Sequence, residues 1–162
     1  MATKTSPIPE GYHAVTPYLI IKDAANAIEF YKNAFGATEL MRMADPGGTV
    51  QHAEMKIGDS VFMLAEEPAA ANSLRGKSPR SLGDSSVVIS LYVEDADATS
   101  AKAVAAGATL LAPVEDRFYG DRSGRLEDPF GHIWIIGTHV EDLTPEEMNE
   151  RFESWMKQQN PA

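Results

Sequence analysis

The chain carries one local sequence pattern twice, and this duplication constrains the fold more than any other feature. Ile-Lys-Asp at residues 21–23 aligns with Val-Glu-Asp at 93–95, and Gly-Ala at 36–37 aligns with Gly-Ala at 107–108, an offset of 71 to 72 residues. Two copies are too few for a solenoid, in which repeats need stacked neighbours. We therefore expect two similar units that share one α+β structure.

Each copy predicts the element order βαβββ. Short apolar runs rich in strand-forming residues accompany one helical pattern per copy, and the Gly58-Asp59 pair is typical of a two-residue hairpin turn. Asp23 and Asp95 are predicted helix N-caps, because each precedes a helical pattern that ends near a glycine. The predicted strands are residues 15–21, 38–43, 50–57 and 60–65 in the first copy, and 87–93, 109–112, 123–127 and 132–137 in the second.

The remaining segments complete the predicted organisation. Residues 66–86 are rich in Ala, Ser, Gly and Pro without a period, which favours a linker or a mobile loop. Thr-Pro-Glu-Glu at 144–147 has the form of a capping box that starts a C-terminal helix. An apolar stripe on that helix must dock on its own chain or on a second subunit, and it consists of Met148, Phe152, Trp155 and Met156. The predicted divisions are an N-terminal tail (1–12), a first βαβββ unit (13–65), a linker loop (66–86), a second βαβββ unit (87–142) and a C-terminal helix and tail (143–162).

Composition excludes several classes of function. The formal net charge of −10 disfavours nucleic acid and anionic membranes as partners. The absence of cysteine removes disulfides, thiolate nucleophiles and cysteine-bound metals. No run approaches the roughly 20 apolar residues that span a bilayer, and residues 1–9 lack a signal-peptide pattern, so we expect a cytoplasmic protein. No GxSxG, HExxH, P-loop or dinucleotide fingerprint is present.

Several short motifs add a resemblance to a known family. The arrangement resembles the vicinal oxygen chelate superfamily of glyoxalases, bleomycin-resistance proteins and extradiol dioxygenases, and the local sequence looks most like its PhnB-like branch. This resemblance implies that each βαβββ unit curls into a cup and that two units form one cavity. The motifs that carry it are Val-Thr-Pro-Tyr-Leu at 15–19, Ala-Ile-Glu-Phe-Tyr at 27–31, Phe-Gly-Ala at 35–37, His-Ala-Glu at 52–54, Tyr-Gly-Asp-Arg at 119–122 and Asp-Pro-Phe-Gly-His at 128–132.

The resemblance also implies where a metal would be held. Metal-dependent members place His or Glu at four positions, two per unit, and in this chain those positions correspond to Thr16, Met63, Val88 and Ile135. None is a normal ligand for zinc, nickel, iron or manganese. We therefore expect no metal at these positions and no other cofactor, which argues against glyoxalase and extradiol dioxygenase activity.

The strands of the first unit predict a polar site beside one of those positions. If Gly58-Asp59 forms a two-residue turn, Glu54 lies opposite Met63, and His52 shares its face. The pair could orient a ligand or act as a general base, or it could be an edge-strand pair that reaches solvent or forms a salt bridge. The candidate ligand-binding residues are Tyr18, His52, Glu54, Met63, Ser90, Tyr92 and Arg122.

The second unit offers fewer candidates. Arg122 could clamp an anionic or carbonyl group, or Asp121 could pair with it and make the loop purely structural. Strand alternation directs His132 and Trp134 away from the cavity. His139 lies near a strand end with no visible partner, so we expect it, like His13, to be a surface residue.

These observations favour a protein that binds or sequesters a small molecule without chemistry, as bleomycin-resistance members of the resembled family do. One alternative is an enzyme, either a metal-free acid–base catalyst that uses Glu54 and His52 or a lyase or isomerase with a metal at displaced ligands. Another is an oligomeric regulatory module with a vestigial cavity. The resemblance and the spare apolar helix also predict a homodimer.

Overall fold

The computed structural model describes residues 6–70 and 76–159. The chain divides into two compact units, one formed by the residues up to Ser86 together with Pro129–Gly131, the other by Val87–Asp128 and the residues from His132 onward. The fold class is confirmed as α+β, with two four-stranded sheets, their helices and a C-terminal helix.

The first unit contains one sheet, one long helix and one short helix. Its elements are β1 (Tyr18–Ile21), α1 (Ala24–Phe35), β2 (Thr38–Ala44), β3 (Val50–Ile57), β4 (Ser60–Glu66) and α2 (Pro79–Leu82). The strand order is β1-β4-β3-β2, with β1 parallel to β4 and the other pairs antiparallel. Ile57 pairs with Ser60 and Glu54 pairs with Met63, so the register predicted from the Gly58-Asp59 turn is confirmed.

The second unit repeats this topology. Its elements are β5 (Val88–Tyr92), α3 (Ala96–Ala105), β6 (Thr109–Asp116), β7 (Asp121–Glu127), β8 (Ile133–His139) and α4 (Pro145–Gln159). The strand order is β5-β8-β7-β6. Tyr18 pairs with Met63 in the first sheet, and Ser90 pairs with Ile135 in the second, so the two parallel registers coincide at an offset of 72 residues.

The core of the first unit depends on aromatic residues of its helix. Tyr31 on α1 is fully buried and meets Phe62 of β4 edge-to-face, with 5.5 Å between ring centroids. Phe130, from the short Pro129–Gly131 segment, is buried against Phe30 and Tyr31. Aromatic pairs in this geometry contribute about 0.5–1.5 kcal/mol each beyond the apolar area that they bury.

The core of the second unit depends on its strands. The buried residues of α3 are only Ala96, Ser100 and Ala103, so the helix contributes little volume. Trp134 of β8 supplies a large side chain and is 2% exposed, and its indole N–H donates to Asp128 at 3.0 Å. His132 is also buried, in agreement with the predicted orientation of this strand.

Helices α1 and α3 are capped by different means. Asp95 accepts a hydrogen bond from the N–H of Ala98 at 2.9 Å, as predicted. The same prediction for Asp23 is wrong, because Asp23 has a φ of 75° and its side chain makes no cap hydrogen bond. The carboxylate of Glu66, at the end of β4, instead accepts from the N–H groups of Asp23 and Ala24 at 2.9 and 2.7 Å.

The segment predicted as a linker, residues 66–86, belongs to the first unit and includes ordered structure. Residues 71–75 lie outside the described residues, but Ser78 is fully buried and caps α2 by accepting from the N–H of Ser81. The Ser78 hydroxyl also donates to Glu67. These contacts attach the described end of the predicted linker to the first unit.

The C-terminal helix docks on its own chain. Its capping box is confirmed, because the N–H of Thr144 donates to Glu147 at 2.9 Å and the N–H of Glu147 donates to the Thr144 hydroxyl at 3.2 Å. Phe152 and Trp155 lie against Phe118, with ring centroids 5.8 and 5.4 Å away. Within residues 6–70 and 76–159, no helix is both long and apolar enough to cross a membrane.

Candidate functional site

The face of the first sheet that points away from α1, which we call the first open face, carries a connected polar network. Glu54 on β3 is 20% exposed and receives a hydrogen bond from the Tyr12 hydroxyl. His52, two residues earlier on the same strand, has Nε2 at 3.3 Å from Glu54 Oε1. Tyr18 of β1 has its hydroxyl at 2.9 Å from His52 Nδ1. Four polar side chains therefore form one continuous chain of hydrogen bonds.

The donors and acceptors of this network are complementary when the His52 proton is on Nε2. In that tautomer Nδ1 accepts from the Tyr18 hydroxyl and the Nε2–H points to the Glu54 carboxylate. The hydrogen bond to Glu54, with smaller effects of burial and of the carboxylate charge, raises the pKa of Tyr12 to about 12. Tyr12 therefore remains a proton donor at neutral pH and holds the second carboxylate oxygen.

Flexible apolar side chains border the network. Met63 lies across from Glu54 on β4, and on the opposite side Met41 and Met43 of β2 pair with Glu54 and His52. Met41 and Met43 are 38% and 51% exposed. Methionine adapts to irregular ligand shapes and makes favourable contacts with aromatic rings. The surface combines a fixed acid with a deformable apolar border.

The sequence prediction placed Tyr18, His52, Glu54 and Met63 together, and the structure does bring these four side chains to one surface. The sequence prediction did not include three further residues of this surface, namely Tyr12, Met41 and Met43. Tyr12 precedes the first strand in a segment without periodicity, so nothing local indicates its contact with Glu54. The pairing of β2 is irregular between Glu39 and Met41, which conceals the alternation that would place Met41.

The equivalent face of the second sheet, the second open face, carries a different network. The Tyr92 hydroxyl donates to Asp121 at 2.7 Å, and the other oxygen of Asp121 lies 2.8 Å from His139 Nδ1. His139 Nε2 lies 3.0 Å from Asp142. The prediction that His139 has no partner is therefore wrong. Hydrogen bonds to Asp121 and then Asp142 raise the pKa of His139, and the bond to Asp121 also raises the pKa of Tyr92.

The structure separates Arg122 from the other candidates. Its guanidinium binds both oxygens of Asp97 on α3 at 2.6 and 2.8 Å, and Asp116 on β6 at 3.0 Å. These carboxylates, Asp97 first, raise the pKa of Arg122 further. Arg122 therefore points to the α3 side, whereas Asp121, the partner considered from the sequence, lies on the second open face. Ser90 remains exposed on β5, beside Ile135.

The residues that the resemblance aligns with the family's metal positions do not offer the donor atoms of a metal site. The Thr16 hydroxyl donates to the carbonyl oxygen of His13 at 3.2 Å, Met63 offers only a thioether, and Val88 and Ile135 offer hydrocarbon. Among residues 6–70 and 76–159, no group of three His, Asp or Glu side chains is arranged to hold an ion.

Comparisons with known proteins agree with this architecture. Residues 12–136 match the model of the glyoxalase/bleomycin resistance protein/dioxygenase superfamily. The uncharacterized protein Rv0887c of Mycobacterium tuberculosis is 39% identical over 141 residues, which cover 87% of this chain and 83% of that protein. The crystal structure of the Arabidopsis thaliana At5g48480 product matches with a TM-score of 0.59 and 32% identity, over 76% of this chain and 97% of that one.

A more distant likeness concerns the fold alone. The fosfomycin resistance protein FosX from Listeria monocytogenes matches with a TM-score of 0.59 and 20% identity, over 84% of this chain and 97% of that one. The matched family model covers most of the chain, and both units have the predicted βαβββ element order. The chain therefore belongs to the glyoxalase/bleomycin resistance protein/dioxygenase superfamily.

Proposed function

We propose that this protein binds or sequesters a small molecule on its first open face, as a member of the PhnB-like branch of its superfamily that lacks the usual metal site. The observation that carries this proposal is the network of Tyr12, Glu54, His52 and Tyr18 beside Met63. It provides a half-buried charge, hydrogen-bonding groups and an apolar border on one surface, which is the composition of small-molecule sites.

The charge of this surface favours a cationic ligand. Glu54 is the acid of the network, and a ligand ammonium group could replace the Tyr12 hydroxyl at its oxygen. Tyr18 is 44% exposed and offers an aromatic face for a cation or a flat ring. The net charge of −10 would attract the same class of ligand over longer distances.

The donor chemistry supports binding that does not depend on a metal. The side chains at the four family positions cannot coordinate a divalent ion, so a ligand would be held by hydrogen bonds, charge and apolar contact. Elemental analysis of protein purified without chelator should give well under one transition metal per chain. A stoichiometric metal would instead support the lyase or isomerase alternative.

One observation favours a second candidate function. The His52 imidazole lies 3.3 Å from the Glu54 carboxylate, with Tyr18 on its other nitrogen, and an imidazole held in this way could transfer a proton to or from a bound molecule. Under this alternative the protein is a metal-free acid–base catalyst. Bound ligand recovered chemically changed, with loss of the change in His52→Gln, would favour the enzyme over the binding protein.

The test of the binding proposal uses three aromatic probes of one shape, namely 1-naphthylmethylammonium, 1-naphthylmethanol and 1-naphthoate, in calorimetric titrations. We expect the cation to bind best to the wild type and about tenfold more weakly to Glu54→Gln, because the variant keeps the shape and removes the charge. Glu29→Gln on α1 makes the same change of net charge at a 57% exposed side chain and should bind within about twofold of wild type. Equal binding to both variants would contradict the proposal.

We further propose that the protein is a cytoplasmic homodimer. Members of this superfamily commonly share units between chains, and exposed apolar side chains such as Met43 and Tyr92, 51% and 63% exposed, lie on the open faces. Sedimentation velocity at micromolar concentration should show a dimer. A monomer alone would contradict this assembly.

A further inference from the structure

The second unit contains a cavity of about 750 Å³. The β6–β8 part of the second open face forms its floor, and Arg125, Ser123 and Ile135 project from there. Phe118, which follows β6, and Trp155 on α4 form an aromatic side. This volume lies within the range of roughly 300–1,000 Å³ typical of small-molecule sites.

Among the residues that the structure describes, the charges that line the cavity leave one cation uncompensated. Arg117 is paired with Glu115 at 2.6 Å, and Asp116 is paired with Arg122 at 3.0 Å. Arg125 is exposed and has no hydrogen-bond or ion-pair partner among residues 6–70 and 76–159. A guanidinium that faces a cavity without a counterion is a ready partner for an anion.

The sheet registers show that Arg125 occupies a position equivalent to Glu54. Glu54 lies opposite Met63 in the first sheet, and Arg125 lies opposite Ile135 in the second. Met63 and Ile135 are themselves equivalent, because they pair with Tyr18 and Ser90 at the same offset of 72 residues. At equivalent positions of the two sheets, the first open face therefore carries an acidic side chain and the second open face a cationic one.

We propose that this cavity binds a small aromatic carboxylate, with Arg125 as the residue that binds the carboxylate. The planar guanidinium matches two coplanar oxygens, and Phe118 and Trp155 offer faces for a flat ring. A phosphate dianion fits less well, because it would carry two negative charges to one uncompensated cation with Glu115 and Asp116 nearby. The inference rests on residues of the second unit alone and does not depend on the function proposed for the first open face.

The two tryptophans of the chain provide a readout of this site. The Trp134 indole is buried and bonded to Asp128, whereas Trp155 lines the cavity and is 39% exposed. In ¹H–¹⁵N spectra, 1-naphthoate should therefore shift the Trp155 indole signal saturably and leave the Trp134 signal nearly unchanged. Trp155→Phe assigns the two signals. Uncharged 1-naphthamide is the matched probe that lacks the carboxylate.

Arg125→Gln should weaken naphthoate binding at least about tenfold, since it removes a charge-assisted contact. Naphthamide should bind to the wild type about as weakly as naphthoate binds to Arg125→Gln. Arg125→Lys keeps the positive charge but lacks the planar guanidinium, so its affinity for naphthoate should lie between those of the wild type and Arg125→Gln. Arg42→Gln in the first unit changes net charge equally and should bind within about twofold of wild type. The proposal is overturned if naphthoate causes no saturable Trp155 shift up to about 5 mM. Equal affinity for the two probes, or unchanged affinity in Arg125→Gln, would overturn it too.

Discussion

The two units have the same topology but place their large and their charged side chains differently. In the first unit, Tyr31 on the helix fills the core, and the residue 72 positions later, Ala103, is one of the small buried residues of α3. In the second unit, Trp134 on the sheet is the largest fully buried side chain. The open faces also differ, because Glu54 belongs to a complete hydrogen-bond network and Arg125 has no partner among the described residues. The same topology therefore accommodates a core filled from the helix in one unit and from the sheet in the other, and open faces that carry different charges.

The largest expected effect comes from the sheet residue that fills the second core. Trp134→Ala should destabilise the protein by about 3–5 kcal/mol, because it leaves a cavity and deprives the buried Asp128 of its indole donor. Urea unfolding measures the change. Trp155→Ala removes the same side chain at a 39% exposed site and should cost less than about 2 kcal/mol. Equal losses would mean that the second unit does not depend on Trp134.

The small residues of α3 suggest a complementary test by overpacking. Ala103→Leu should cost about 1–3 kcal/mol, because Ala103 is fully buried against a sheet whose large residues already occupy the space. Ala101→Leu makes the same change at an exposed site of the same helix and should lie within about 0.5 kcal/mol of wild type. A neutral Ala103→Leu variant would show that the second core has unfilled volume.

The helix caps distinguish local from distant determinants of structure. Asp95→Ala should cost about 1 kcal/mol, because it removes the side-chain acceptor for the N–H of Ala98. Glu66→Ala should cost at least as much, since that carboxylate accepts from two N–H groups at the start of α1. Asp23→Gly, which suits the φ of 75° at the position where the sequence predicts a cap, should cost less than Glu66→Ala, because the Asp23 side chain makes no cap hydrogen bond. A loss of stability for Asp23→Gly as large as that for Glu66→Ala would contradict this assignment.

The features that the sequence predicted correctly are local ones. The Gly58-Asp59 hairpin register and the caps at Asp95 and Thr144 depend on residues within a few positions of one another, and the duplication is a match between two such local patterns. Alternation along β3 then placed His52 and Glu54 on one face. The repeat of the βαβββ element order follows from the same patterns.

The features that sequence reasoning missed are contacts between distant residues. Glu66 displaces Asp23 as the cap of α1 from 42 and 43 positions away, and Tyr12 reaches Glu54 across 42. Strand β7 begins at Asp121 rather than Ser123. Asp121 and Arg122 therefore belong to the strand, where successive side chains point to opposite faces of the sheet. Arg122 points to the α3 side and Asp121 to the second open face.

Acid should affect the ion pairs of the first unit. Hydrogen bonds to Arg42 and then Lys32 lower the pKa of Glu39 from 4.5 to about 2. A depressed folded-state pKa contributes stability that is present above the unfolded value and is lost as the pH falls towards 2. The stability difference between wild type and Glu39→Gln should therefore be constant above about pH 5 and shrink between 4.5 and 2. A difference that stays constant down to pH 2 would contradict the ion-pair assignment.

The smallest expected effect is in the second unit, where the contribution of His139 to stability depends on pH in the opposite direction to that of Glu39. Hydrogen bonds to Asp121 and then Asp142 raise the pKa of His139 above its ordinary value of 6.5. A raised folded-state pKa contributes stability that is fully present below the unfolded pKa and is lost as the pH rises through the folded one. Because His139 is about half exposed, with 52% of its side chain accessible, solvent screens this contribution. The urea midpoint of wild type should therefore exceed that of His139→Gln slightly at pH 5–6, and the difference should vanish at higher pH, above the raised pKa of His139. A His139→Gln difference that is constant across this range would mean that the two carboxylates do not hold the protonated imidazole.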